Sequence, residues 1–256
     1  MTPVQASVAA AGWEQLVGRT YDPFLWLGER RGMRDRRAAL LAGARGRVLE
    51  IGAGTGLNLA HYPDDVTELL LTEPSAPMVV ALRRRVERSG RGRVRVLAAP
   101  ADTLPVPDAS VDTVVSTMVL CTVPDPGAAL AEIVRVLRPG GRLLFCEHVL
   151  ADAPRLRSWQ QRLAGPWAAF ALGCRCDRPV LADIGEMLRV ERLRHDRWRG
   201  MPVLVRPLVI GSAVRQQSAA GPGLERQRMG SGALSPVAAG GSLDPPVRHR
   251  KEGGAR

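Results

Sequence analysis

Glu50, the glycines at 52, 54 and 56, Glu73 and His148 are the residues whose types and spacing could do chemistry. In Val48-Leu49-Glu50-Ile51-Gly52-Ala53-Gly54-Thr55-Gly56 an apolar strand runs into a glycine loop, where backbone can approach a ligand that side chains would push away. Leu69-Leu70-Leu71-Thr72-Glu73-Pro74 follows after one helix and one return strand, the separation at which an acid receives ribose hydroxyls. The pair describes a nucleotide-shaped pocket at a strand end. A dinucleotide fingerprint, G-x-G-x-x-G, would need a glycine at Leu57, and Gly56 falls one place early. Glu50, ending the first strand, would repel a pyrophosphate but suits a ligand that carries a sulfonium and an ammonium.

Positioning these residues takes alternating strands and helices. Apolar runs predict strands near 47–52, 68–73, 93–98, 111–118 and 141–149, with helices near 57–61, 75–88 and 126–137. Leu69-Leu70-Leu71, Val114-Val115 and Leu143-Leu144-Phe145 are continuous, as parallel strands covered on both faces require. Residues 150–189 read as helical, anchored by Trp159, Trp167 and Phe170, and two further strands are expected near 190–198 and 206–214. The predicted fold class is α/β, a doubly wound, mostly parallel seven-stranded sheet. Ligands of such sheets sit beyond the carboxyl ends of the strands, which gathers the glycine loop, Glu73, Asp102, Thr117 and Glu147-His148 at one rim. Residues 1–45 form an expected N-terminal helical cap, amphipathic through Trp13, Leu16, Val17, Phe24 and Leu27 and interrupted at Pro23. The α/β domain spans 46–215.

From 216 to 256 the composition turns to Gly, Pro, Ser and Ala, too poor in large apolar groups to offset ordering, and a disordered tail is expected. Truncation after Arg215 is therefore expected to leave melting temperature and turnover unchanged; a large loss of either would show that the tail docks on the body. The chain of 256 residues suffices for one sizeable domain. Its formal charge of +11 is almost entirely arginine, Lys251 being the single lysine, and the arginines are scattered apart from a solvated run at Arg83, Arg84 and Arg85. No nucleic-acid partner is expected. No secretory signal is evident, and Leu163 to Cys174 is shorter than the ~20 apolar residues of a spanning helix, so no stable membrane insertion is expected. Four cysteines make no disulfide framework and point to a reducing cytoplasm. Cys174-Arg175-Cys176 with Cys121 and Cys146 offers C-x-C rather than C-x-x-C, Cys146 reads as a small hydrophobe within a strand, and no metal is expected. Oligomeric state is not legible.

The glycine loop resembles motif I of the class I S-adenosylmethionine-dependent methyltransferases, a Rossmann-like fold. Ala101-Asp102-Thr103-Leu104-Pro105, with Asp108-Ala109-Ser110-Val111-Asp112, resembles a stretch of the type 11, ubiquinone/menaquinone-type group. Arg135-Val136-Leu137-Arg138-Pro139-Gly140-Gly141 is similar to that group's turn, where Pro139 is expected to end a helix and the glycines to lead into the fifth strand. A narrower resemblance, to the methyltransferase-like thiol methyltransferases of animals and their bacterial relatives, is carried by Thr117-Met118-Val119-Leu120-Cys121-Thr122-Val123, Glu147-His148-Val149, Trp159-Gln160-Gln161, Pro166-Trp167, and Gly173-Cys174 with Arg178. Animal members carry a membrane-anchoring N-terminal segment that this sequence does not show.

The resemblance implies S-adenosylmethionine as cofactor, held by Glu50, Gly52, Ala53, Gly54, Gly56, Glu73, Pro74, Ala101, Asp102 and Thr117. Pro100 stands where many relatives have Asp or Asn, leaving Asp102 and the Ala101 amide as the expected contacts to adenine. Tyr21, in Tyr21-Asp22-Pro23-Phe24, matches a segment that lies over the cofactor in relatives and is expected to act as a lid. Methyl transfer needs no metal, because the sulfonium carries the activation. The expected acceptor is a small, apolar molecule, a thiol or other heteroatom being preferred over a quinone carbon or lipid headgroup; a non-catalytic binding module is the remaining alternative. His148 is the candidate base, set against a structural, hydrogen-bonded histidine. Cys121 is expected to line the pocket. Trp159 and Trp167 form a substrate wall or serve as core anchors. Arg178 either lowers the pKa of an acceptor thiol or caps a helix at the surface.

Overall fold

The computed structural model describes residues 20–216. Trp13, Leu16 and Val17 of the expected helical cap, and the tail beyond 216, lie outside the described residues. The seven strands are β1 (Arg47–Ile51), β2 (Glu68–Thr72), β3 (Val94–Leu97), β4 (Val111–Thr117), β5 (Leu137–His148), β6 (Arg189–Arg197) and β7 (Pro207–Val214). They join in one sheet of order β3-β2-β1-β4-β5-β7-β6. β1 to β5 are parallel, and β7 alone runs against both of its neighbours. The order reverses at β1, which lies between β2 and β4, and this is the switch point where an open sheet leaves a crevice.

Alternation along the strands divides the core. Leu49 and Ile51 face one side with Val114, Phe145 and Val209, covered by Ile133 and Ile184 of the helices α3 (Pro126–Val136) and α5 (Val180–Met187). Val48, Leu69 and Leu71 face the other, under Leu41 and Leu82 of α1 (Arg34–Leu41) and α2 (Ala76–Ser89). Each such side chain, removed fully from water, contributes about 1.5–3 kcal/mol, so burial on two faces explains why β1 and β2 read as unbroken apolar runs. The edge strand β6 alternates little and is mostly exposed.

Local signals set the helix ends. Pro126 occupies the first turn of α3, and the Asp125 side chain accepts the amide of Ala128 at 3.0 Å. That helix ends at Val136, before the Pro139 expected to stop it, with Leu137 already extended. Arg138 precedes a proline, which disfavours helical backbone there, and Leu137 pairs with Val111 ahead of a bulge, so the chain straightens early. β5 therefore begins four residues before the predicted start.

Three further expectations change. The helix predicted at 57–61 is one 3₁₀ turn, Leu59–His61. The 150–189 segment splits into α4 (Pro154–Phe170) and α5, joined by a linker holding Cys174 and Cys176. In the N-terminal segment Pro23 does not interrupt the helix; the break lies at Arg31 and Gly32, where Gly32 has φ of 107°. Leu25 and Met33 are buried on either side of that break, whereas Phe24 and Leu27 are exposed. Among the described residues no helix is long and apolar enough to cross a membrane.

Candidate active site

A cavity of about 970 Å³ opens at the carboxyl ends of β1, β2, β4 and β5, at the top of the size range for small-molecule sites. One end is built by the glycine loop. Gly52 has φ of 54°, and a Cβ there would lie 2.7 Å from Val119, so only glycine lets β1 turn beneath the segment after β4. Gly54, with φ of 56°, borders the cavity with nothing nearer than Met78 at 3.9 Å from a Cβ position. Glu73 accepts the amides of Gly54 (2.8 Å) and Ser75 (2.9 Å), one on each carboxylate oxygen. Burial pushes its pKa up while those two amides pull it back.

Gly52, Gly54, Glu73, Pro74, Ala101, Asp102 and Thr117 all line the cavity. Ala53 and Gly56 do not: Ala53 binds its amide to Thr72, and Gly56 packs on Leu82 of α2. Glu50 also lies outside the wall, one layer behind it. Its carboxylate accepts Asn58 Nδ2 (2.8 Å) and the Tyr62 hydroxyl (2.7 Å). Asn58 accepts from Arg37 (2.9 Å) and donates to Thr117 Oγ1 (3.1 Å), so one buried amide links an arginine, an acid and the cavity wall. Sequence reading missed Arg37 and Asn58, which carry no spacing signal of their own.

Burial raises the Glu50 pKa from 4.5 to about 7, against the lowering effect of Tyr62, Asn58 and Arg37. The folded chain thus holds a proton that the unfolded chain has released, and stability is lost as pH rises from about 4.5 through 7. Glu50→Gln can keep both bonds, its carbonyl accepting from Asn58 and its amide donating to Tyr62. Its melting temperature is expected to be flat across this window while that of the wild type falls; parallel curves in a thermal scan at several pH values would refute the assignment.

The other end of the cavity is apolar. Trp167, Phe170, Trp198, Met201 and Val205 wall it, with Phe24 set edge-on to Phe170 at 6.1 Å. Tyr21 lines it, and desolvation raises its phenol to about 12, leaving a protonated donor. The segment bearing Tyr21 is clipped down by Asp22, which accepts from Thr55 of the glycine loop and pairs with Arg85 of α2. His148 ends β5 in this half, stacked on Trp198 at 5.7 Å. Its Nδ1 lies 3.4 Å from Cys121 Sγ and 3.5 Å from Cys174 Sγ, and its Nε2 has no partner among the described residues. Glu147, fully buried, accepts Ser116 Oγ (2.6 Å) and the amides of Val119 (3.0 Å) and Cys121 (3.3 Å), which fixes the turn after β4.

Three expected substrate contacts move. Trp159 is 55% exposed and absent from the wall, because eight residues separate it from Trp167 and place the two about 80° apart around α4. Arg178 spends its guanidinium on the carbonyls of Leu120, Val123 and Pro124, holding the turn after β4 instead of facing the cavity. Cys121 sits behind the wall, and Cys174 is the cysteine that reaches it. The thiol of Cys121 is held far up, first by its bond with Cys174 and then by burial. Cys146 packs in the apolar cluster as expected, its pKa raised to about 12 by burial.

A family model described as a methyltransferase domain matches residues 49–145. Human thiol S-methyltransferase TMT1B is 33% identical over 184 residues, covering 68% of this chain and 74% of that protein. The chain belongs to the class I S-adenosylmethionine-dependent methyltransferases. Phosphatidylethanolamine N-methyltransferase of Cereibacter sphaeroides is 36% identical over 132 residues, covering 51% of this chain and 64% of that protein. The fold of an S-adenosylmethionine-dependent methyltransferase from Thermotoga maritima superposes with a TM-score of 0.59 at 20% identity, over 80% of this chain and 99% of that structure. This methyltransferase offers the cofactor a fitting cradle: a carboxylate at Glu73 with lone pairs to spare, a bare glycine loop, and a cavity wall that continues through Pro100, Ala101 and Asp102.

Proposed function

We propose that the methyltransferase methylates the sulfur of a small apolar thiol, using S-adenosylmethionine. The observation that carries this reading is the acceptor end of the cavity, where aromatic and aliphatic side chains surround His148 and Cys174 and no arginine or lysine is present among the described residues. A phosphate-bearing headgroup would call for such a cation, so the lining disfavours a lipid acceptor. The 33% identity to a protein named as a thiol S-methyltransferase supports the same choice.

When bound, S-adenosylmethionine supplies a methyl group already activated on a sulfonium; the chain holds it, aims it and excludes water. Glu73 takes the ribose, Ala101 and Asp102 the base, and Glu50 braces the glycine loop from behind through Asn58 and Tyr62. His148 is the residue that activates the acceptor. A thiol of pKa ~8.5 is mostly protonated near neutrality, and only the thiolate is a good nucleophile. The four cysteines are free and buried, which fits a reducing compartment, and the cytoplasm is the proposed location.

Measuring S-adenosylhomocysteine production against thiols, phenols, amines, quinols and phosphatidylethanolamine vesicles tests the reading. Thiols are expected to give the highest kcat/KM. Preference for a quinol or for vesicles would overturn the acceptor, and bound cofactor with no turnover on any acceptor would reduce the chain to a binding module.

A further inference from the structure

We propose that Cys121, Cys174 and His148 form a three-ligand zinc site whose fourth position takes the sulfur of the acceptor. Cys121 stands in the turn after β4, His148 at the end of β5, and Cys174 in the linker between α4 and α5. They are far apart in sequence, the cysteines 53 positions from one another, yet one ligand atom from each lies within 4.8 Å of the other two. The edges of that triangle are 4.0 Å between the sulfurs and 3.4 and 3.5 Å from Nδ1 to each sulfur. A tetrahedron built on Zn–S of ~2.3 Å and Zn–N of ~2.0–2.1 Å has edges of about 3.8 and 3.6 Å. The match needs shifts of only a few tenths of an ångström.

The ligands are held in place independently of any ion. The amide of Arg175 binds the carbonyl of Cys121 at 2.7 Å, which ties the linker to the turn, and Glu147 holds the amide of Cys121. Charge also favours the assignment. The two cysteines sit in an apolar cluster with Leu25, Met33 and Met201, His148 stacks on Trp198 of the same cluster, and two thiolates with one neutral imidazole bring Zn²⁺ to zero net charge there. A hydrogen-bonded trio explains less, because Nδ1 offers a single bonding position and two sulfurs approach it. With Nδ1 as ligand, the partnerless Nε2 carries the ring proton.

Cys174 and His148 line the cavity and Cys121 lies behind it, so the remaining coordination position opens towards the acceptor. Two cysteines and a histidine with one open position are a donor set of catalytic zinc sites. The role assigned to the ion rests on the thiol reading above; ion binding does not. An acceptor R–SH would bind through sulfur and lose its proton to water. A sulfur lone pair then attacks the methyl carbon, the carbon–sulfonium bond breaks, and its electron pair stays on the sulfur of S-adenosylhomocysteine. The product R–S–CH₃ is neutral and a weaker ligand, so it leaves, and the zinc keeps its oxidation state throughout.

Titrating the full-length, metal-free protein with Co²⁺ under a phosphine reductant tests this before any cofactor is added. Expected are saturation at one equivalent, the ligand-field bands of tetrahedral cobalt, and a sulfur-to-cobalt charge-transfer band that falls by about half or more in C121S and in C174S but persists in C146S. Thiophenol should raise that band by about half in the wild type, as a third thiolate joins two. No charge-transfer band at one equivalent of Co²⁺ in the wild type overturns the site without recourse to any variant, as does a band undiminished in both C121S and C174S. A band indifferent to thiophenol overturns the open position. Calorimetry with S-adenosylmethionine shows that each variant is folded, and an intact band without thiol turnover would defeat the thiol reading alone.

Discussion

Glu73→Ala weakens S-adenosylmethionine binding about a hundredfold in a calorimetric titration. The Glu73 carboxylate already accepts Gly54 and Ser75, so each oxygen is aimed and partly desolvated before the cofactor arrives. Its remaining lone pairs are those the ribose hydroxyls would use. Bonds to a charged group are worth roughly 1.5–3 kcal/mol each before non-additivity, and two together exceed the ~2.7 kcal/mol that a hundredfold change requires. The loss has a second source, because without the carboxylate the amide of Gly54 loses its partner and the loop its shape. Glu73→Gln, which keeps a carbonyl acceptor, should lose less. Unchanged affinity in the alanine variant, or tighter binding of NAD than of S-adenosylmethionine, would remove the cofactor assignment.

His148→Ala should lower turnover by about 10²–10⁴-fold and leave cofactor affinity intact, since His148 stands in the acceptor half of the cavity. The pH profile sharpens the expectation. Without an activating residue the reaction depends on the thiol's own ionisation, so the variant's rate should climb towards pH ~8.5 and the gap to wild type should narrow. A variant within about threefold of wild type at neutral pH, far below that range, would make His148 structural and leave positioning as the whole of catalysis.

The fold was legible where burial leaves a one-dimensional mark. Leu69-Leu70-Leu71 and Leu143-Leu144-Phe145 are apolar because both sheet faces are covered, and that pattern survives in any context. Helix ends were less legible: α3 stops at Val136 because Arg138 precedes a proline and Leu137 finds a partner in Val111, a tertiary pairing that local signals do not contain. The site divides in the same way. Gly52, Gly54 and Glu73 could be read because their roles follow from neighbours in the chain. Asn58 and Arg37 could not, since what matters is the cross-chain bond each makes. Trp159 misled because an aromatic announces burial without saying which side of a helix it occupies. The expectation of no metal weighed the C-x-C spacing of Cys174 and Cys176 and the place of Cys146 in a strand; that the sulfur nearest Cys174 belongs to Cys121 depends on how the linker between α4 and α5 packs on the turn after β4, which spacing does not contain.

The reversed strand β7 returns beside β5, and its pairing puts Leu208 opposite His148. The segment 198–206 that leads into it is thereby laid across the acceptor end, pinned where the amide of Trp198 meets the carbonyl of Arg206. Trp198, Met201 and Val205 of that segment face the cavity, while the ribose and adenine contacts proposed above come from cavity residues within 52–117. Recognition of the methyl donor and of the methyl acceptor is therefore written in separate stretches of the gene. Selection can rewrite the second without disturbing the first, so the architecture is evolvable: a new acceptor asks for changes in a few wall residues, with the transfer chemistry inherited intact.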